Sequence, residues 1–215
     1  MRLLKYIMTS KNLTKADTIG LFEDKRVLVN NKYEDPSYPL LDNDKVYIDN
    51  LLILPVKNKY YLYYKPRGIL SMIGDSPINF NKAIGLDFKL MPCGRLDKDS
   101  SGLMILSNDN NFINSIMNSN LEKTYILKLK DVITSDFINK LSSLTEMDGK
   151  ALKPFKYHKI DSLTISLTIC EGRYHQCRKM VLLCGNKVMD LLRIKIGNYS
   201  LGDMKPGEIK EIKRG

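Results

Sequence analysis

Apolar positions along the first 55 residues recur first at helical spacing and then at strand spacing. Leu3, Leu4, Ile7 and Met8 fall three and four apart, the stripe of one helix face. Thr14 stands where an N-cap belongs, ahead of Lys15-Ala16-Asp17 and the apolar Ile19 and Phe22, so a second helix follows the first. Arg26-Val27-Leu28-Val29 has strand composition, and Asn30-Asn31 supplies left-handed turn geometry. Val46-Tyr47-Ile48 makes another short strand after a polar Asp-Pro-Ser loop. The pattern closes near residue 55, which predicts a small module over 1–55 and a larger domain over 56–215.

From residue 60 strands and helices alternate without the regular rhythm of a doubly wound sheet. Lys59 to Tyr64 reads as a strand stopped by Lys65-Pro66-Arg67-Gly68, and Leu103 to Leu106 as a buried strand bounded by Gly102 and Asn108-Asp109. Phe112, Ile113, Ile116 and Met117 mark a helix. Tyr125, Leu127 and Leu129 alternate as a strand, and Phe137, Ile138, Leu141 and Leu144 behind Thr134 return to helical spacing. Leu163, Ile165, Leu167 and Ile169 form the clearest period-two run, and Gln176 to Cys184 reads as a helix ended by Gly185. The predicted class is α+β.

Composition narrows the function. The 215 residues are 43% hydrophobic and 27% charged, an ordinary globular balance. No apolar run approaches the ~18–20 residues that span a bilayer, and the N-terminal stretch lacks the apolar segment of a signal peptide, so the expectation is a cytoplasmic protein with no membrane partner. Cys93, Cys170, Cys177 and Cys184 form no Cys-x-x-Cys pair, and His158 and His175 are the only histidines, which argues against a metal or a disulfide framework. The net charge of +10 favours a polyanionic partner such as nucleic acid. All of the excess lies in the second part: residues 1–55 hold 8 Lys/Arg against 8 Asp/Glu, and residues 56–215 hold 26 against 16. Within the first part, Arg2, Lys5, Lys11, Lys15, Lys25 and Arg26 still make the helical half locally basic.

Two segments carry candidate chemistry. Pro92-Cys93-Gly94-Arg95-Leu96-Asp97-Lys98-Asp99-Ser100-Ser101-Gly102-Leu103 sets an aspartate in a loop between glycines, directly before a hydrophobic strand. A carboxylate held by a rigid neighbour yet facing a cleft suits a nucleophile or a general base. Turn chemistry alone also accounts for these Asp and Ser residues. Glu171-Gly172-Arg173-Tyr174-His175-Gln176-Cys177-Arg178-Lys179-Met180 opens a helix after a strong strand and gathers donors at the junction. Its cations can bind phosphate or pair with a carboxylate, and a solvated, capped first turn has the same composition. His175 reads as a hydrogen-bonded structural histidine.

The Gly94-Arg95-Leu96-Asp97 segment, with Lys65-Pro66-Arg67-Gly68 before it and Lys123-Thr124-Tyr125 after it, resembles the pseudouridine synthases of the RsuA/RluB type. So do Glu171 to Met180, Leu191-Leu192-Arg193-Ile194-Lys195-Ile196-Gly197 and Lys205-Pro206-Gly207-Glu208, in family order over almost the whole chain. The first 55 residues resemble the alpha-L RNA-binding module: Thr14-Lys15-Ala16 matches the start of its second helix and Arg26 to Asn30 its strand. Two glycines of that module are replaced by Lys25 and Asn31, so positive φ would fall on non-glycine residues.

The resemblance implies a catalytic domain with a mixed, largely antiparallel sheet flanked by helices, and isomerisation of uridine in RNA: the glycosidic bond breaks, the uracil turns, and carbon 5 rejoins the sugar. Asp97 falls at the family's catalytic position, Arg178 at the basic position that pairs with it, Tyr125 at the tyrosine that stacks on the base, and Leu191 at the apolar pocket wall. Arg95, Lys98, Arg173 and Lys179 are candidate phosphate contacts. The implied reaction is redox-neutral and takes no cofactor or metal. Ribosomal RNA is the implied partner of a monomer, in folded or partly assembled form. The Glu171 to Gln176 run lies closest to the small-subunit branch, whereas Lys98-Asp99-Ser100 is also at home in the large-subunit branches. Competing readings are a non-catalytic ribosome-assembly factor on the same scaffold and an aspartate-dependent hydrolase.

Overall fold

A computed structural model describes residues 1–11, 13–55, 57–71 and 90–214. The chain divides into two compact units, Met1–Asn58 and Lys59–Gly215. The boundary expected at residues 55 and 56 touches Val56, which lies outside the described residues.

The first unit begins with helices α1 (Leu3–Lys11) and α2 (Lys15–Glu23). Thr14 caps α2 in a reciprocal box: its hydroxyl accepts from the Asp17 N–H, and the Asp17 carboxylate accepts from the Thr14 N–H. Strands β1 (Val27–Val29), β2 (Val46–Ile48) and β3 (Leu51–Ile53) form an antiparallel sheet in that order. The strand β3 was not anticipated, because Leu51 and Leu52 are exposed and show no alternation. Its place follows from the turn before it: Asp49 and Asn50 have φ of 50° and 64°, as the two central residues of a tight hairpin need. Lys25 and Asn31 do adopt positive φ, 56° and 65°. Leu3, Ile7, Val27, Val29, Val46 and Ile53 make the unit's core. Arg26 is bidentate on Asp49 and so is spent within the fold.

In the second unit, nine strands form one sheet. Its main path runs β10 (Phe155–Lys159), β11 (Thr164–Ile169), β7 (Lys123–Leu129), β12 (Val188–Ile196), β6 (Ser101–Ser107), β4 (Tyr60–Lys65) and β14 (Ile209–Ile212). Two short strands pair beside it, β5 (Met91–Pro92) on β6 and β13 (Tyr199–Ser200) on β12. A separate hairpin joins β8 (Glu146–Met147) to β9 (Lys150–Ala151). Among the described strands only β12 and β6 run parallel. The class is thus α+β with a mixed, largely antiparallel sheet.

Both faces of the sheet are covered, which is why its central strands read as continuous apolar runs. Met104, Leu106, Leu127 and Leu167 face helices α4 (Ser135–Ser142) and α5 (Gln176–Leu183) through Phe137, Leu141, Met180 and Val181. Leu62, Leu103 and Ile105 face helix α3 (Asn110–Met117) through Phe112 and Ile113. Asp109 caps α3, its carboxylate accepting from the Asn111 and Phe112 N–H groups, and Thr134 caps α4.

The parallel pair β6–β12 is closed by backbone contact. Gly102 has φ +117°, and a Cβ placed on it would lie 2.3 Å from the Arg193 carbonyl oxygen and 2.5 Å from its nitrogen. Neither the conformation nor the gap admits a side chain. Gly102→Ala is therefore expected to lose at least about 3 kcal/mol of unfolding free energy, strain and overpacking together. Urea unfolding measures it, and a midpoint close to the parent's would refute the contact.

Candidate active site

Asp97 sits in the loop that feeds β6, and the loop is held by the turn after β4. Lys65 is fully buried at the end of that strand, and its ammonium donates to the carbonyls of Pro66, Ile69 and Lys98 at 3.0, 2.8 and 3.5 Å. The Gly68 N–H also donates to the Lys98 carbonyl, at 2.8 Å. Ser71 brackets Leu96: its hydroxyl donates to the Leu96 carbonyl at 2.7 Å and accepts from the Leu96 N–H at 3.1 Å. The stretch from Lys65 to Ser71 thus clamps both neighbours of Asp97. Burial pushes the Lys65 ammonium down from 10.5 to about 8, although Asp97 opposes the shift.

Helix α5 approaches the same carboxylate from the other side. The Arg178 Nε lies 3.8 Å from Asp97 Oδ2, and its terminal nitrogens donate to Ser100 Oγ at 3.1 Å and to the carbonyls of Asp99 and Val188 at 3.3 Å. One guanidinium therefore spans the loop, its carboxylate and the start of β12. His175 stands just ahead of the helix with a left-handed φ of 55°, and its Nε2 lies 3.5 Å from Asp97 Oδ1. Sequence reading set this histidine aside as structural, and only its strained backbone at a site marks it.

The floor belongs to β7 and β12. Tyr125 and Leu191 are 7% and 4% exposed, and both line a cavity of about 80 Å³ with Asp97, His175 and Arg178. Arg193, opposite Tyr125 across the strand pair, is 3% exposed; it donates to the carbonyls of Leu103 at 2.8 Å and Arg95 at 3.2 Å. Burial raises the pKa of the Tyr125 phenol, and the charge of the neighbouring Arg193 guanidinium opposes the rise. Nothing in the spacing marks Arg193, because its register opposite Tyr125, two residues from Leu191 on the same strand face, depends on which strands pair. Beneath the pocket, burial pushes the Cys177 thiol up to about 12, so it stays protonated.

The four candidate phosphate contacts separate. Arg95 and Lys98 are exposed, and among the described residues neither side chain has an ion-pair or hydrogen-bond partner. Arg173 is engaged within the fold: its guanidinium pairs with Glu171 and donates to the carbonyls of Met147, Lys150 and Ala151, which ties the β8–β9 hairpin to the junction. Lys179 likewise pairs with Asp148 in that hairpin. Among the described residues no group of three or more His, Cys, Asp or Glu is placed to hold a metal, and no helix is long and apolar enough to cross a membrane.

Comparison with known proteins identifies the family. Residues 59–183 match the family model for RNA pseudouridylate synthase. The chain is similar to the ribosomal small subunit pseudouridine synthase A of Haemophilus influenzae, 31% identical over 99% of this chain and 96% of that one. It is also similar to the ribosomal large subunit pseudouridine synthase B of Bacillus subtilis, 29% identical over 98% of this chain and 91% of that one. Among solved structures it superposes on a crystal structure of a pseudouridylate synthase with a TM-score of 0.67 and 28% identity, covering 99% of this chain and 96% of that one.

The buried lysine beneath the loop makes a measurable pH dependence. The unfolded chain keeps this proton up to the ordinary 10.5, the folded chain only to about 8. Between those values the unfolded state binds more protons, so this group's contribution to stability rises with pH through the window. Against Lys65→Met, which has no such proton, the parent protein is expected to gain about 3 kcal/mol from pH 8 to pH 10.5. Urea unfolding of both at several pH values reads the difference, and a gap that stays constant would contradict it.

Proposed function

This chain belongs to the RNA pseudouridylate synthase family, and on that premise we propose that it isomerises one uridine of ribosomal RNA to pseudouridine, with Asp97 as the catalytic residue. The observation that carries the assignment is the convergence on one cavity of Asp97, Arg178 at 3.8 Å from its carboxylate, the buried Tyr125 and the apolar Leu191.

The chemistry follows from those positions. A uridine stacked in RNA hides its glycosidic bond, so the nucleotide turns out into the cavity at a cost of a few kcal/mol. The volume of about 80 Å³ is roughly that of three waters, on the scale of a planar base. Tyr125 and Leu191 form the wall against that base. Asp97 meets the reacting centre, with Arg178 fixing the carboxylate's direction. The Tyr125 phenol, beside the Arg193 guanidinium, serves the transfer of the proton from carbon 5. Breaking and remaking one bond to the same sugar leaves atoms and electrons unchanged.

We assign Met1–Asn58 as the alpha-L RNA-binding module, a second contact with RNA; its two helices, three strands and positive φ at Lys25 and Asn31 support this. The favoured substrate is small-subunit rRNA, supported by the Glu171 to Gln176 run. The second reading, a large-subunit site, is supported by Lys98-Asp99-Ser100.

Asp97→Asn is expected to reduce pseudouridine formation below detection by carbodiimide labelling while the unfolding midpoint stays near the parent's, because a loop carboxylate contributes little packing. Substantial turnover by the variant would sink the role. Deleting the gene in its own host and mapping pseudouridine across both rRNAs tests the substrate. The expected result is loss of one small-subunit site; loss confined to large-subunit rRNA selects the second reading, and an unchanged map removes rRNA as the substrate.

A further inference from the structure

The cavity around Asp97 does not end at the base-sized pocket. A second one of about 460 Å³ adjoins it and shares the Asp97, Arg95 and His175 walls. On the water scale used above it has room for a whole nucleotide. Its far wall is Tyr174, which is 75% exposed. That ring makes no contribution to either core cluster of this unit. Instead it stacks on the His175 ring with centroids 3.9 Å apart and planes 16° from parallel, and the Lys179 ammonium lies 5.8 Å from its centroid. The pair is presented by the left-handed backbone at His175, a conformation that costs free energy and that no cap hydrogen bond from its side chain repays. An aromatic plane held out to solvent beside a reaction pocket matches the platforms on which single-stranded bases stack. Three cations line the same cavity, Arg95, Lys98 and Arg173; Arg173 is held by Glu171 and the β8–β9 hairpin, and the side chains of Arg95 and Lys98 are the two the fold leaves uncommitted among the described residues.

We propose that the second cavity is a subsite for the nucleotide adjacent to the reacting uridine, its base stacked on Tyr174 and its phosphate held by Arg95 and Lys98. The inference rests on the reading of the first pocket as a uridine site. It makes the Tyr174–His175 pair the element that recognises a splayed single-stranded neighbour, while Asp97 on the shared wall meets the target. The same stack would link occupancy of the subsite to the position of His175, whose Nε2 lies 3.5 Å from the Asp97 carboxylate.

The test compares two probes on the full chain: fluorescein-labelled dodecauridylate, read by anisotropy, and uridine 5′-monophosphate, read by competition. One base stack is worth about 1–3 kcal/mol, so Tyr174→Ala is expected to lower the affinity ratio of oligonucleotide over mononucleotide by about 5- to 150-fold. Tyr174→Phe, which keeps the ring, is expected to hold that ratio within about twofold. A ratio unmoved by Tyr174→Ala, or lowered as much by Tyr174→Phe, overturns the subsite. Pseudouridine formation by the parent protein in rRNA is read separately. If it fails while the ratio still falls, the proposed reaction is wrong and the subsite stands; if it succeeds while the ratio is unmoved, the reverse holds.

Discussion

The approach of two backbones at Gly102 and Arg193 is the contact on which the other distances of the site depend. It closes the one parallel strand pair among the described strands, and it does so where a Cβ would meet the facing carbonyl at 2.3 Å. Because β6 begins there, the loop before it is delivered to the edge of β12, and the antiparallel partner β7 carries Tyr125 to the same place. A parallel pair needs a long crossover, and here that connection contains β7, β10, β11 and α5. The helix that brings Arg178 and His175 is therefore a consequence of the same pairing. Moving β6 by one residue would turn Leu103 and Met104 to the wrong faces as well as displacing Asp97.

Holding a loop with no ladder of its own requires other donors, and the protein uses buried cations. The Lys65 ammonium and Arg193 guanidinium are 0% and 3% exposed, and among the described residues both donate to backbone carbonyls. Burying a cation is costly unless its donors are satisfied. Each here satisfies carbonyls from segments far apart in sequence: Lys65 joins its own turn to Lys98, and Arg193 joins β6 to Arg95. Apolar replacements of the same size would pack as well but would remove these donors, leaving the Lys98 carbonyl only the Gly68 N–H. The cations are thus retained for what they orient, and the fall of Lys65 to about 8 is the measure of that cost.

Periodicity exposed most of this architecture because it reports burial, and burial is what the central strands share. The strand from Leu163 to Ile169 and the caps at Thr14 and Thr134 are cases where one local rule sufficed. The left-handed backbone at Lys25 and Asn31 was legible only from the module resemblance, since neither residue type announces it. Spacing could not reach register. That Arg193 lies opposite Tyr125, or that Arg173 finds three carbonyls of a hairpin more than twenty residues away, depends on which strands pair. The exposed Leu51 and Leu52 hid β3 for a related reason: that strand is set by the turn before it, with only Ile53 in the core.

The cations near the site divide by what the fold already asks of them, and the division separates placement from affinity. Arg173 and Lys179 are neutralised by Glu171 and Asp148 and brace the hairpin against α5, so they fix geometry and add little net charge. Arg178 is shared between the carboxylate and the loop. Arg95 and Lys98 alone among the candidate contacts keep exposed side chains without partners among the described residues, and counterion release upon RNA binding draws on charges of that kind. Two such groups are a small part of the excess of 26 basic over 16 acidic residues across 56–215. Salt-dependent attraction is therefore a property of the whole domain surface, whereas the site spends its own cations on holding one carboxylate still.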